Sequence, residues 1–370
     1  MEATRRRAEF VVAVVGLALV IAAIAARQWW LDRHFLPSFF IPRSWYVAIE
    51  TTARLVIAVA GALLIAKRSR VARLLTRSPI MVGQVTLAAA LALGASEVTL
   101  RSIHLRPTEW LAADEEPKRQ PDSRLGWVLA PSRTGRTSVG GRSIEYAIDA
   151  AGYRVRSVGE PVDRERPTIV FAGESVIFGE GLTWEESIPA RTGALARVQS
   201  ANLAVHGYST DQMFLRVQQE LPRFRQPLAV VSIFMTELFG RNLDDDRPHL
   251  SPGLVWEPAT PASRLMSLAG LLVPYRRNRT LDEGVRMTQD VLRATVALAR
   301  VRGATPLIVV PQFGAEDAAA RAIRERVIEP DLPVLVVPLD PDWRLPWDRH
   351  PNADAARRIA QAIAAGLALR

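Results

Sequence analysis

Three long apolar runs in the first hundred residues constrain this chain most. "FVVAVVGLALVIAAIAA" (Phe10 to Ala26) is an uncharged run of 17 residues. "WYVAIETTARLVIAVAGALLIA" follows from Trp45 to Ala66, and "IMVGQVTLAAALALGAS" covers Ile80 to Ser96. Each approaches the roughly 20 residues needed to cross about 30 Å of hydrocarbon. Hydrocarbon offers the backbone no hydrogen-bond partner, so such runs fold as helices. Arg5, Arg6 and Arg7, with "AAIAARQ" as a cleavage-like stretch, would also suit a signal peptide. The two further runs favour a retained helix and a multi-pass region over residues 1–100.

Charge follows the same division. The chain carries a formal +9, yet residues 1–78 hold 12 basic and 4 acidic residues, a net of +8. The rest is close to neutral, so the basic balance does not indicate a nucleic-acid partner. Arg5, Arg6 and Arg7 precede the first run, and Lys67, Arg68, Arg70, Arg73 and Arg77 fill the second loop. By the positive-inside rule both face the cytoplasm, which puts everything after residue 100 on the extracytoplasmic side of a cell membrane. Trp29, Trp30, Trp45 and Tyr46 then fall at an outer interfacial belt. Glu50 and Arg54 share one face of the middle helix. They are either an ion pair near the outer interface or a polar site within the bundle.

Residues 101–165 are rich in Arg, Pro and Gly and read as a linker plus a small β lead-in. From residue 166 the pattern becomes strand, turn, helix. Buried-type runs recur at Thr168–Phe171, Ala201–Val205, Leu228–Phe234, Leu307–Val310 and Val334–Val337. Helical stretches fall at Ile188–Ala196, Asp211–Leu221, Leu281–Arg302, Ala315–Val327 and Ala353–Leu367. This alternation predicts a parallel sheet covered on both faces, in an α/β domain over 166–370. Such sheets bind ligands beyond the carboxyl ends of their strands, and Ser175 lies just past the first.

A serine nucleophile needs a base, and the base an orienting carboxylate. Of the five histidines, His350 sits in "WDRHPNADAARRIAQAI" with Asp348 two residues earlier and Asn352 placed to cap the last helix. A short loop after the last strand would bring Asp348 and His350 to the sheet edge that carries Ser175. Each residue alone has a plainer reading, as a turn serine, a loop histidine and a solvated carboxylate. Their joint occurrence at strand ends favours the triad. Asp244, Asp245 and Asp246 lack metal-ligand spacing. The absence of cysteine excludes disulfides and thiolate metal sites. Gly173-Glu174-Ser175-Val176-Ile177 lacks the second glycine of the α/β-hydrolase elbow, and no phosphate-binding Gly-Lys-Ser/Thr signature occurs.

The blocks Gly173-Glu174-Ser175, "NLAVHGYST" and Asp348-Arg349-His350 resemble those of the SGNH hydrolases, the GDSL-like lipase/esterase family. The likeness covers residues 165–370, and "RLGWVLAPS…IDAAGYR" is similar to the stretch ahead of such domains in membrane-anchored relatives. It implies a three-layer α/β/α, flavodoxin-like parallel sheet. It also implies a serine esterase acting on acyl esters, acetyl among them, with Ser175, His350 and Asp348 as its triad and neither cofactor nor metal. Gly207 takes the family's glycine position in the oxyanion hole. Two departures stand out. Glu174 replaces an aspartate, and Thr236-Glu237 falls where the family has Asn-Asp. Thr236 then becomes the third oxyanion donor, with Asn242 as the alternative. His206 either lines the pocket or packs, and Phe178, Trp184 and Tyr208 form an apolar wall or belong to the core. The implied partners are an acyl-ester substrate, an envelope glycan or lipid, and the bilayer. O-acyl transfer to envelope carbohydrate and a catalytically weakened scaffold are the alternatives.

Overall fold

A computed structural model describes residues 2–27, 35–37, 43–102, 115–245, 247–260, 263–266 and 275–367. The chain divides into two compact units, Met1–Leu105 with Ala262–Leu281, and Arg106–Pro261 with Asp282–Arg370.

The first unit holds α1 (Glu2–Ala25), α2 (Arg43–Ala66), α3 (Arg68–Arg77) and α4 (Pro79–Leu100). Three helices are long and apolar enough to cross a membrane, at Glu2–Ala25, Val47–Ala66 and Ile80–Leu100. Their large apolar side chains point outward; Phe10, Leu55 and Leu91 are among the most exposed. Helices α1 and α2 meet backbone to backbone at two glycines. A Cβ on Gly16 would lie 2.7 Å from the Gly61 carbonyl oxygen, and one on Gly61 2.6 Å from that of Gly16. Small residues permit this close approach where apolar burial gives no driving force. Arg54 donates to Glu50 at 3.1 Å and, from Nε, to the Ala23 carbonyl of α1 at 2.9 Å. The Glu50–Arg54 pair therefore ties α2 to α1. Strand β1 (Phe35–Pro37) pairs antiparallel with β12 (Tyr275–Arg277), so a late segment of the chain belongs to this unit. Trp29, Trp30 and the side chain of Tyr46 lie outside the described residues, while Trp45 is exposed.

The second unit is α/β. Two short strands, β2 (Arg119–Asp122) and β3 (Gly126–Leu129), form a hairpin. Strands β4 (Arg133–Val139), β5 (Arg142–Ile148) and β6 (Arg154–Val155) precede β7 (Thr168–Ala172), β8 (Gln199–Asn202), β9 (Pro227–Ile233), β13 (Thr305–Phe313) and β14 (Val334–Leu339). All eight form one sheet in the order β14-β13-β9-β7-β8-β6-β5-β4. The last five in sequence are mutually parallel. Numbered by appearance, those five run 2-1-3-4-5, the flavodoxin-like order, with a topological switch point between β7 and β9. Helices α5 (Ser175–Phe178), α6 (Ile188–Ala196), α7 (Thr210–Glu220), α8 (Asn278–Val301), α9 (Ala318–Val327) and α10 (Ala353–Leu367) connect and flank them. Strand β7 is buried at all five positions, as a central parallel strand covered on both faces must be.

Two features go beyond the sequence expectation. The small β lead-in joins the main sheet: β4, β5 and β6 extend it antiparallel, through the single register pair Arg154–Asn202. Two short strands, β10 (His249–Ser251) and β11 (Val255–Glu257), follow the third block as a hairpin, ahead of the segment that returns to the first unit.

Candidate active site

Strand β7 ends in a turn that only glycine fits. A Cβ on Gly173 would meet the Ile177 Cβ at 2.5 Å and Ile233 Cγ2 at 3.2 Å. Glu174 caps the single turn α5, its carboxylate accepting from the Val176 N–H at 3.0 Å. Gly179 then reverses the chain at φ +84°. The result puts Ser175 at the switch point, next to the carboxyl end of the central strand.

His350, the candidate base, lies on a closed loop between β14 and α10. Leu345 N–H donates to the His350 carbonyl at 2.8 Å, and Asn352 N–H to that of Trp343 at 3.1 Å. Asn352 caps α10 as expected, its Oδ1 accepting from the N–H groups of Asp354 and Ala355. Two glycines seat the loop. A Cβ on Gly181 would strike Leu345 Cδ1 at 2.4 Å. One on Gly140, at the β4–β5 hairpin tip, would overlap the Trp347 ring at 1.8 Å. Arg344 stacks 3.9 Å above the Phe313 ring and donates to Glu237 at 3.0 Å. The loop is thereby fastened to the third block.

These contacts bring together residues 175 positions apart. His350 Nε2 lies 2.7 Å from Ser175 Oγ, and Nδ1 lies 2.5 Å from Asp348 Oδ2. An ionised carboxylate only accepts, so Nδ1 carries the hydrogen that points to Asp348. Nε2 is then the nitrogen that can take the serine proton. A second acceptor competes for it, since Ser175 Oγ also lies 2.6 Å from Glu174 Oε2. One hydroxyl proton serves one acceptor at a time, and attack requires the His350 arrangement.

The oxyanion candidates separate clearly. The backbone N–H groups of Ser175 and Gly207 have no acceptor among the described residues. Gly207 sits at φ +82°, and a Cβ there would approach the Trp127 ring at 3.1 Å. Thr236 is buried at the start of a 3-10 turn, Thr236–Leu243, and its hydroxyl has no partner among the described residues. Asn242 is committed elsewhere. Its Nδ2 donates to the hydroxyls of Thr210 and Thr288, both at 2.9 Å, and its Oδ1 accepts from Thr210 N–H. Both amide hydrogens are used, leaving none for an oxyanion, so the Asn242 alternative does not fit this geometry.

Around this centre, Phe178 and Tyr208 are core residues and Trp184 is half-buried. His206 packs. Its Nε2 lies 3.2 Å from Glu115, and its carbonyl accepts from Trp127 Nε1 at 3.1 Å. Burial opposes the Glu115 charge, but hydrogen bonds from His206 and Arg119 outweigh it and hold the carboxyl below its usual range. Two cavities of about 10 Å³ lie in the core; one is lined in part by Glu174 and Asn242, and neither has room for an acyl chain. Of the aspartate run, Asp246 lies outside the described residues.

Two residues of the site were not read from the sequence. Glu180 Oε2 stands 3.7 Å from His350 Nε2; its flanking glycines, Gly179 and Gly181, were the available signal. Arg154 is fully buried and donates to the carbonyls of Phe178 at 2.6 Å, Gly179 at 2.7 Å and Leu182 at 2.7 Å. No pattern marks it, because a lone arginine in a polar stretch reads as surface.

No family model matches the chain, and no curated protein does. Solved structures do. A lipolytic protein of the G-D-S-L family from Desulfitobacterium hafniense is 12% identical over 54% of this chain and 98% of its own, with a TM-score of 0.35. Another, from Veillonella parvula, is 13% identical over 53% and 94%, at 0.32. An acetyl xylan esterase from the rumen bacterium Butyrivibrio proteoclasticus is 12% identical over 56% and 64%, also at 0.32. The solved structures to which this α/β chain is similar thus include members of the G-D-S-L lipolytic family, the one its three blocks resemble.

Proposed function

We propose that this chain is a membrane-anchored serine ester hydrolase whose second unit faces the extracytoplasmic side. The observation that carries the proposal is the continuous contact from Ser175 through His350 to Asp348 at the switch point of the sheet. In the first step Ser175 Oγ attacks the ester carbonyl carbon while His350 Nε2 takes its proton. Asp348 holds Nδ1–H and so keeps the imidazole in the required tautomer. The N–H groups of Ser175 and Gly207, with the Thr236 hydroxyl, stabilise the oxyanion. Collapse of the tetrahedral intermediate breaks the ester C–O bond, and His350 returns the proton to the leaving alcohol. Water, deprotonated by His350, then releases the acid and restores Ser175. The sidedness rests on the basic residues at positions 67–77, and the anchor on three helices long and apolar enough to cross a membrane.

The test uses the full chain in detergent micelles. A fluorophosphonate probe is expected to label the wild type and to leave Ser175→Ala and His350→Ala unlabelled. Turnover of p-nitrophenyl acetate is expected to fall at least about 10³-fold in both variants. Wild-type protein that neither labels nor turns over the ester would remove the enzymatic reading. Transfer of acetate to an added sugar, in excess of its release to water, would turn the assignment from hydrolase to O-acyltransferase.

A further inference from the structure

Glu180 is the second carboxylate at the catalytic imidazole, and the triad has no use for it. Asp348 occupies the Nδ1 side of His350; Glu180 Oε2 stands on the Nε2 side at 3.7 Å. Its side chain makes no hydrogen bond among the described residues and is 36% exposed, so it is open to an incoming molecule.

Its position is fixed by the turn that bears it. Glu180 N–H donates to the Ser175 carbonyl at 3.0 Å. Gly179 and Gly181 flank it at φ +84° and +75°. The Gly181 N–H donates to the Tyr146 hydroxyl at 2.9 Å, and Arg154 grips the carbonyls of Phe178, Gly179 and Leu182. The Arg154 guanidinium lies over both the Tyr146 and the Phe178 ring, 4.8 Å and 4.9 Å from their centres. A carboxylate on so constrained a backbone is presented at a defined place.

That place has a chemical meaning. Nε2 receives the serine proton and passes it to the leaving oxygen, so that oxygen must come within hydrogen-bond reach of Nε2. It then lies beside Glu180, and a hydroxyl on the adjoining carbon of the alcohol can donate to the carboxylate. We infer that Glu180 selects esters of polyhydroxylated alcohols by accepting a hydrogen bond from a hydroxyl next to the ester oxygen. This rests on the esterase reading above and narrows its substrate to esters of carbohydrates and other polyols. A cationic alcohol is disfavoured as the intended partner, because charge attraction at a half-exposed carboxylate is weakened by solvent and salt.

Three acetate esters separate these cases: 1-acetylglycerol, propyl acetate and acetylcholine. Acetylglycerol and propyl acetate share a three-carbon alcohol skeleton and differ in two hydroxyls. Ratios of kcat/KM between esters, measured on one preparation, cancel the fraction of folded enzyme. In Glu180→Ala the acetylglycerol-to-propyl acetate ratio is expected to fall about ten- to a hundredfold, the range for a hydrogen bond to a charged group. Glu180→Gln, which keeps an acceptor oxygen without the charge, is expected to lose less. An unchanged ratio in Glu180→Ala would overturn the inference, and so would a larger fall for acetylcholine than for acetylglycerol, which would point to recognition of charge. Turnover of either acetylglycerol or propyl acetate, lost in Ser175→Ala, is read first. Its absence from the wild type would overturn the esterase reading itself, whereas its presence beside an unchanged ratio overturns the role of Glu180 alone.

Discussion

At the scale of single residues, the second block is the most sensitive part of the candidate oxyanion hole. Gly207 occupies a left-handed conformation under the Trp127 ring, with its N–H unused. Gly207→Ala is therefore expected to cost about 1–2 kcal/mol in stability from the backbone alone. Because the strain turns the same N–H, kcat is expected to fall about 10²–10³-fold, with a smaller change in KM. Denaturant unfolding and steady-state kinetics on one preparation would separate the two effects. The glycine was legible in "NLAVHGYST", but its reason was not, since Trp127 approaches from a strand 80 residues earlier. The same holds for Asn242, whose sequence neighbours give no sign that Thr210 and Thr288 claim its amide.

At the scale of elements, the five parallel strands and their helices were readable because apolar runs and helical stretches alternate with clear turns between them. Strands β4 to β6 were not. Arg133, Arg136 and Arg142 lie along them and β6 has two residues, so each looks like a solvated edge. Yet β6 carries Arg154, which burial holds down to about pKa 10, still well above neutrality. The guanidinium stays charged and is matched by carbonyl oxygens. Removing it as Arg154→Met strands the buried Leu182 carbonyl, at about 1–3 kcal/mol, and leaves those of Phe178 and Gly179 with only Asn202 Nδ2 and Leu182 N–H as donors. The expected result is a lower unfolding midpoint together with slower fluorophosphonate labelling of Ser175. Arg154→Lys, which keeps the charge but loses the fork, is expected to fall between. Labelling at the wild-type rate in Arg154→Met would show that the Ser175 turn holds its shape unaided.

At the scale of the whole molecule, one buried ion pair connects the second and third blocks. Arg247 donates to both oxygens of Asp211 at 2.9 Å and 3.0 Å, and also to the Arg241 carbonyl at 2.9 Å. Burial raises the Asp211 carboxyl, but Arg247, Ser209 and the Leu250 N–H overcome it and hold it below its usual value of 3.8. A depressed folded-state value means that this contribution is complete above the unfolded-state value and is lost as the pH falls through the folded one. Wild-type stability is accordingly expected to drop below about pH 4, whereas Asp211→Asn should show less of that acid loss. The variant should also lose about 3–5 kcal/mol at neutral pH, because Arg247 keeps an unpaired buried charge. Guanidinium unfolding at pH 3, 5 and 7 measures both.

Strand β12 lies in the first unit although 240 residues separate it from β1, a pairing that no local pattern reveals. A fragment limited to the second unit must therefore omit two pieces. Trimming the three apolar helices before residue 106 would leave strand β12 without β1, its antiparallel neighbour, as an open edge. A water-soluble version needs a short polar bridge in place of that excursion as well.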